Sequence, residues 1–214
     1  MADVQEAIRR LIDEADHYLA RFKGEEIDAV RAGVASFGHE AISETVSPSE
    51  PSCGHLDGAL FVTNGADSLR AAIGEAKPYL AWKTYDSYPP ELIGGRFPAA
   101  HAFATLIGGG GFLPADDFEL GLFLIAPKTL YRDHRHKAPE LYAPLTGPHE
   151  WRFGAGTAFE KKSAHEPVWN DPMRVHATLV RDIPFLALYA WTRDVSEAAT
   201  IVPARDWQEI EDSL

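Results

Sequence analysis

The 214 residues carry 20 Lys and Arg against 32 Asp and Glu, a formal charge of −12 with the nine histidines neutral. Such an excess of acid opposes the phosphate neutralisation behind nucleic-acid affinity and is repelled by an anionic lipid surface, so neither a nucleic acid nor a membrane is expected as partner. A 45% hydrophobic share can close a core, a single cysteine, Cys53, rules out an intramolecular disulfide framework, and mixed charges over Met1 to Arg10 with no apolar run behind them argue against a secretory leader. The expected location is cytoplasmic. The most apolar run, Leu120 to Pro127, falls far short of the roughly 20 residues of a spanning helix.

Val4, Ile8, Leu11, Ile12, Ala15, Leu19 and Phe22 recur at steps of three and four, which predicts an amphipathic helix stopped at Gly24. A second helical pattern runs from about Glu25 to Phe37. Ser43 to Gly58 reads as a long loop, Asp67 to about Lys83 as a helix interrupted by Pro78, and Tyr85 to Gly111 as an irregular stretch rich in Pro and Gly. It ends in Gly108 to Gly111, which lack the Lys-Ser/Thr and the strand-to-helix context of a phosphate-cradling loop. Beyond them the period falls to two. Leu120 to Ala126, Thr129 to His136, Leu141 to Thr146, His149 to Phe153, Arg174 to Val180 and Phe185 to Trp191 read as short strands. Six strands at this spacing predict a barrel or sandwich. The expected class is α+β, with a helical region at 1–115 packing on a β-barrel at 116–214 and the boundary near Leu113 to Asp117.

The chemistry-bearing segment is Tyr131 to Gly147, YRDHRHKAPELYAPLTG. His134 and His136 are two apart, so on a strand both imidazoles share a face, and Glu140 and Tyr142 repeat that relation. A turn at Lys137 to Pro139 would bring the two faces together. Two imidazoles and a carboxylate suit zinc, or iron with open positions. A fourth ligand has to come from another strand, and His176 in MRVHATL lies in such a segment. Among the remaining histidines, His17, His39, His55 and His101 fall in helical or loop segments, and His149 and His165 lack motif spacing. Cys53 has no second thiol or adjacent base. Lys137, Arg152, Arg174 and Arg193 could steer a carboxylate, but salt-bridging to the many acids is the default.

HxH, three residues, Glu, six residues and Gly, from His134 to Gly147, resembles the first motif of the cupin superfamily. The chain departs from it at Lys128, where the pattern has Gly. His176 follows Pro172 without the usual PxG, and Val180 stands where Asn is common. The resemblance implies a double-stranded β-helix, jelly-roll-like, and a fold in which barrels often pair through strands, so a homodimer is open. Tyr142, Tyr131, Trp151 and the PFLALYAW strand at Pro184 to Trp191, with helices ahead of the barrel, resemble the cupin-type dimethylsulfoniopropionate lyases. That likeness implies His134, His136, Glu140 and His176 as ligands of one divalent ion (Zn, Fe, Mn, Ni or Co), Tyr142 as catalytic base and Tyr131 as a second pocket tyrosine.

The implied reaction on a small zwitterionic or carboxylate substrate is a β-elimination, in which a base takes the proton alpha to a carboxylate and dimethyl sulfide leaves the β-carbon. A phenol titrating near 10 needs roughly 4 kcal/mol of preference for the phenolate to act near neutrality, which a neighbouring dication can supply. A sulfonium is attracted to aromatic faces by roughly 0.5 to 2 kcal/mol per ring. Tyr131, Trp151, Trp169, Tyr189 and Trp191 are the candidates, against an ordinary core role for each. The odd spacing of Tyr131 from His134 puts it across the strand unless a bulge intervenes. The same residues also admit an Fe(II) cupin dioxygenase or a non-catalytic cupin that binds a small ligand.

Overall fold

A computed structural model describes residues 3–37, 41–43 and 46–214. The first amphipathic stripe forms α1 (Val4–Leu19), whose Ile8, Leu11, Ile12 and Ala15 are buried. It packs on α4 (Asp67–Ala76) through Leu69, Ala72 and Ile73. Arg31 in α2 (Glu25–Phe37) ties back to Asp16 at 2.8 Å. The end of the long loop turns into a short α3 (Leu56–Val62), and Pro78 converts the end of α4 to a single 3₁₀ turn, as a residue without an N–H does. Two one-turn helices follow, α5 (Pro90–Ile93) and α6 (Phe97–Ala100). No helix among the described residues is long and apolar enough to cross a membrane.

The strands form two five-stranded antiparallel sheets. The first contains β1 (His101–Ile107), β2 (Glu119–Ile125), β9 (Phe185–Trp191), β4 (Glu140–Pro144) and β7 (Val168–Asn170), in that spatial order. The second contains β10 (Thr200–Ile201), β3 (Thr129–Arg135), β8 (His176–Val180), β5 (His149–Phe153) and β6 (Glu160–Lys162). They share one aromatic core, with Phe123 and Phe185 of the first sheet meeting Tyr131 and Trp151 of the second. This is a jelly-roll-like pair of facing antiparallel sheets behind N-terminal helices, and the α+β class is as expected.

Period-two alternation gives the first sheet two different faces. Ala102, Ala104, Leu106, Leu120, Leu122, Leu124, Leu141, Ala143, Leu186 and Leu188 join the core that lies under the N-terminal helices. The intervening residues turn toward the second sheet. The outer face of that second sheet is capped by α7 (Trp207–Asp212), where Trp207 packs on Leu130 and Leu179.

Two expectations need correction. β1 lies ahead of the boundary expected near 113–117, inside the stretch read as irregular. Its HAFATLI pattern alternates, but Ala102 and Ala104, small where the helices press closely, hide the signal. Lys137 to Pro139 also do not join a hairpin, because β3 and β4 belong to opposite sheets and the segment crosses between them. The departures from the cupin pattern leave the turns intact. Lys128 takes φ 58° where Gly is usual. Met173 takes φ 62° in a turn closed by Arg174 N–H donating to Asp171 O at 3.0 Å. Both are left-handed conformations that glycine adopts at lower cost.

Candidate metal and substrate site

β3 and β8 bring the histidines together. His134 pairs directly with His176, and between Tyr131 and His134 the register slips. That slip is a bulge. Arg132 and Asp133 both go to the outer side, where Arg132 bonds Glu211 of α7 at 2.8 Å and Asp133 accepts from Trp207 Nε1 at 2.7 Å and from the buried Arg152 guanidinium. Tyr131 and His134 are thereby both turned inward, and their rings stack with centroids 3.9 Å apart.

Each imidazole is oriented by a backbone carbonyl. Nδ1 of His134 donates to Arg132 O at 2.8 Å, that of His136 to Ala138 O at 2.7 Å, and that of His176 to Arg174 O at 3.0 Å. This leaves the three Nε2 atoms free to ligate, and the three residues form a buried group that could hold a metal ion, with its candidate ligand atoms within 4.8 Å of one another. A carbonyl on the second ring nitrogen is how metal-binding histidines are held in the right tautomer. Glu140 Oε2 comes within 3.1 Å of His136 Nε2 and 3.3 Å of His176 Nε2, and the latter nitrogen is buried with no hydrogen-bond partner. Lone pairs and a carboxylate facing each other at this range repel unless a proton or a cation lies among them. Nitrogen and carboxylate donors of this kind fit a divalent transition ion.

Glu140 is itself held from behind. Trp191 Nε1 donates to Oε1 at 2.8 Å and Asn170 Nδ2 to Oε2 at 3.1 Å. Burial and the two other imidazoles hold His134 well below its ordinary range, so it is neutral, as a ligand must be. For His136 burial acts downward, but the Glu140 carboxylate outweighs it and the net shift is upward. Burial alone would raise Glu140, and His136 and His176 overturn that, keeping it ionised. Tyr142 is pushed well above 10 by burial and then by Glu140, the wrong direction for a base unless positive charge lies close.

The site opens into a cavity of about 300 Å³ whose wall includes Tyr131, His134, His136, Glu140, Tyr142, Tyr189 and Trp191. One side is a stack of four rings, His134 on Tyr131 on Phe97 on His101, with centroids 3.9 to 4.1 Å apart. Tyr88 seals it, its hydroxyl 2.5 Å from that of Tyr131.

The family model of dimethylsulfoniopropionate (DMSP) lyase matches residues 30–187. The chain belongs to that family, a family of lyases. DMSP lyase DddQ of Ruegeria pomeroyi is 26% identical over 141 residues, 66% of this chain and 69% of that protein. The crystal structure of DddQ from R. pomeroyi superposes with a TM-score of 0.74 at 24% identity, covering 92% of this chain and 96% of that one. A chain from the crystal structures of DMSP lyases RdDddP and RnDddQII gives 0.70 at 17% identity, covering 94% and 100%. At these identities the structural matches speak for the fold.

In this family member all four expected ligand side chains meet, and Tyr131, Tyr142, Tyr189 and Trp191 line the cavity. Trp151 does not: it is fully buried behind Tyr142, 5.4 Å between centroids. Trp169 packs on the helix side. Trp191 lines the cavity and is also the donor that holds Glu140. Lys137, Arg152, Arg174 and Arg193 are engaged elsewhere, in ion pairs with Asp194, Asp133 and Asp206 or, for Arg174, over the Phe153 ring. His165 sits between Asn64 O and the Tyr18 hydroxyl, His149 beside Thr146, and His17 near Glu14, none near the site; His39 lies outside the described residues. Burial pushes the Cys53 thiol up, away from the thiolate form that a nucleophile uses.

Sequence reasoning missed Tyr85, Tyr88, Phe97, His101, Phe103, Glu119 and Phe123, all in the cavity wall. The signal available was alternation. Glu119, Gly121 and Phe123 are every second residue of β2, the same inward-facing set.

Proposed function

We propose that the chain is a metal-dependent carbon–sulfur lyase that cleaves DMSP to dimethyl sulfide and acrylate, with Tyr142 as the base. The observation that carries the metal is the set of three Nε2 atoms aimed at one point, each freed by a carbonyl on Nδ1. Family membership and the aromatic cavity support the substrate. His134, His136, His176 and Glu140 would hold the ion. When bound, a dication at these residues supplies Lewis acidity toward the substrate carboxylate and stabilises a nearby phenolate.

Tyr142 stands two residues along β4 from Glu140 and on the same face, so its phenol borders the ligand cluster. As phenolate it takes the proton from the carbon alpha to the carboxylate. The C–H electron pair becomes the new C=C bond, and the Cβ–S pair leaves with sulfur, turning the sulfonium into neutral dimethyl sulfide. Tyr131, stacked between His134 and Phe97, shields the wall from water, and its hydroxyl is tied to Tyr88. Gas chromatography of dimethyl sulfide above metal-loaded protein and DMSP tests the reading. We expect release, and a fall of roughly 10² to 10⁴-fold in Tyr142→Phe with metal content unchanged. Release no greater than from the variant would show that the substrate or the base is wrong.

A further inference from the structure

The cavity holds a second carboxylate that the elimination does not use. Among the described residues lining it, Glu119 and Glu140 are the acids. Glu119 Oε1 accepts from the Tyr189 hydroxyl at 2.6 Å and from Thr105 Oγ1 at 2.9 Å. Among the described residues Oε2 has no donor, and no lysine or arginine forms an ion pair with Glu119. Lys83, the cation of the cavity wall, instead reaches Gly110 O at 3.5 Å. A carboxylate half-buried among aromatic rings without a counter-charge costs free energy, which a cationic ligand would recover.

Strand register places Glu119 relative to the metal cluster. Glu119 on β2 pairs with Trp191 on β9, and Trp191 pairs with Glu140 on β4. The two carboxylates thus end one row across the sheet, two strand spacings or roughly 10 Å apart at the backbone. The next row is Gly121, Tyr189 and Tyr142. A Cβ on Gly121 would come within 2.7 Å of the Tyr189 ring and 2.4 Å of Ala104 O, so this glycine is what lets Tyr189 lie over β2 with its hydroxyl on Glu119. Phe103, edge to face with Tyr189, adds another ring beside it.

We propose that Glu119 is the specificity-determining residue for the positive end of the substrate. Its free Oε2 takes the onium group, flanked by Tyr189 and Phe103, while the carboxylate end lies at the histidines, and the two methylenes of the substrate span the interval over Tyr142. The identity of the cation rests on the lyase reading. Glu119 acts in two ways: it attracts the onium and it repels the carboxylate, so reversed docking is disfavoured.

The test compares DMSP with 3-(methylthio)propionate, which lacks one methyl and the charge. Calorimetric titration of both into metal-loaded wild type and Glu119→Gln is run beside turnover. Glu119→Gln keeps an acceptor for Tyr189 and Thr105. We expect DMSP affinity to fall roughly tenfold and KM to rise in step, with thioether affinity within twofold of wild type. Glu119→Ala serves as the second variant and should shift the ratio the same way. An equal loss for both ligands, or an unchanged ratio in either folded variant, overturns the proposal. Failure of wild type to release dimethyl sulfide, while the ratio still shifts, sinks the lyase reading and leaves this one standing.

Discussion

The two faces of the first sheet are made from the same strands, yet they do opposite jobs. Along β4, Glu140 and Tyr142 point to the cavity while Leu141 and Ala143 point to the helices; along β9, Tyr189 and Trp191 alternate with Leu188 and Ala190. The helix-facing set is aliphatic and fully buried, and its task is burial. The cavity-facing set is aromatic and carboxylate, with Glu140 held by Trp191 and Asn170 and the Tyr189 hydroxyl held by Glu119. The lesson is that the strands carrying Glu140, Tyr142, Tyr189 and Trp191 are fixed by the packed residues that alternate with them. A site on a packed strand is positioned more rigidly than one on a loop.

The comparison breaks most sharply at the ligands. His176→Ala removes one of three convergent nitrogens without touching the helix-side core. We expect metal retention to be lost and dimethyl sulfide release to fall on the order of 10³-fold or more, with the melting temperature of the metal-free protein little changed. Elemental analysis beside the release assay checks it; a variant that keeps both metal and activity would remove His176 from the ligand set.

The second sheet supplies the next largest effect, on stability. Arg152 is completely buried and bonds Asp133 and Asp206. Arg152→Met leaves the buried Asp133 carboxylate with only the Trp207 N–H, and losing one partner of a buried pair costs about 3 to 5 kcal/mol. Asp133 is one of the two residues that form the bulge, so some loss of metal affinity should accompany the loss in urea-unfolding free energy. A stability within 1 kcal/mol of wild type, by the scale of ordinary surface substitutions, would show that the network is not needed.

A substitution on the helix face sharpens the contrast from the other side. Leu188 is next to Tyr189 in the chain but faces the helix core. Leu188→Ala should cost about 2 to 5 kcal/mol of stability and leave kcat/KM of the folded protein within about twofold. A large fall in kcat/KM at a temperature where the variant is folded would mean that the two faces are not separable.

How much of this was legible follows from the range of the interaction that sets each feature. The ligand cluster could be read because His134, His136 and Glu140 sit within seven residues and period two assigns their faces, and the α1 stripe was legible because i, i+3 and i+4 neighbours are local. The bulge at Arg132 and Asp133 was visible only as an odd spacing, since its anchors, Arg152, Glu211 and Trp207, lie 19 to 79 residues away. Glu119 and Phe103 escaped because their place depends on which strands pair and in what register, a long-range choice. Tyr85, Tyr88 and Phe97 lie in a Pro-rich stretch with no period at all, and reach the cavity through tertiary contacts alone.

The mildest effect concerns His101, a cavity-wall histidine that is no ligand. Its Nδ1 donates to Phe97 O at 2.7 Å and its Nε2 accepts from the Tyr85 N–H at 2.8 Å, so the neutral ring satisfies both neighbours and a second proton would break one bond. Burial lowers its pKa to about 4. The unfolded chain, titrating near 6.5, therefore takes up the proton first as pH falls. The folded state loses stability from just above pH 6.5 down to about 4, where both forms are protonated and the contribution levels off. At pH 5 the loss is about 2 kcal/mol relative to neutral pH. His101→Gln does not titrate, so its urea-unfolding free energy should decline about 2 kcal/mol less between pH 7 and pH 5 than that of wild type, all carboxylate contributions being common to both. Parallel declines would mean that His101 takes its proton without leaving the fold, and that the ring stack from His134 to His101 is looser than its distances imply.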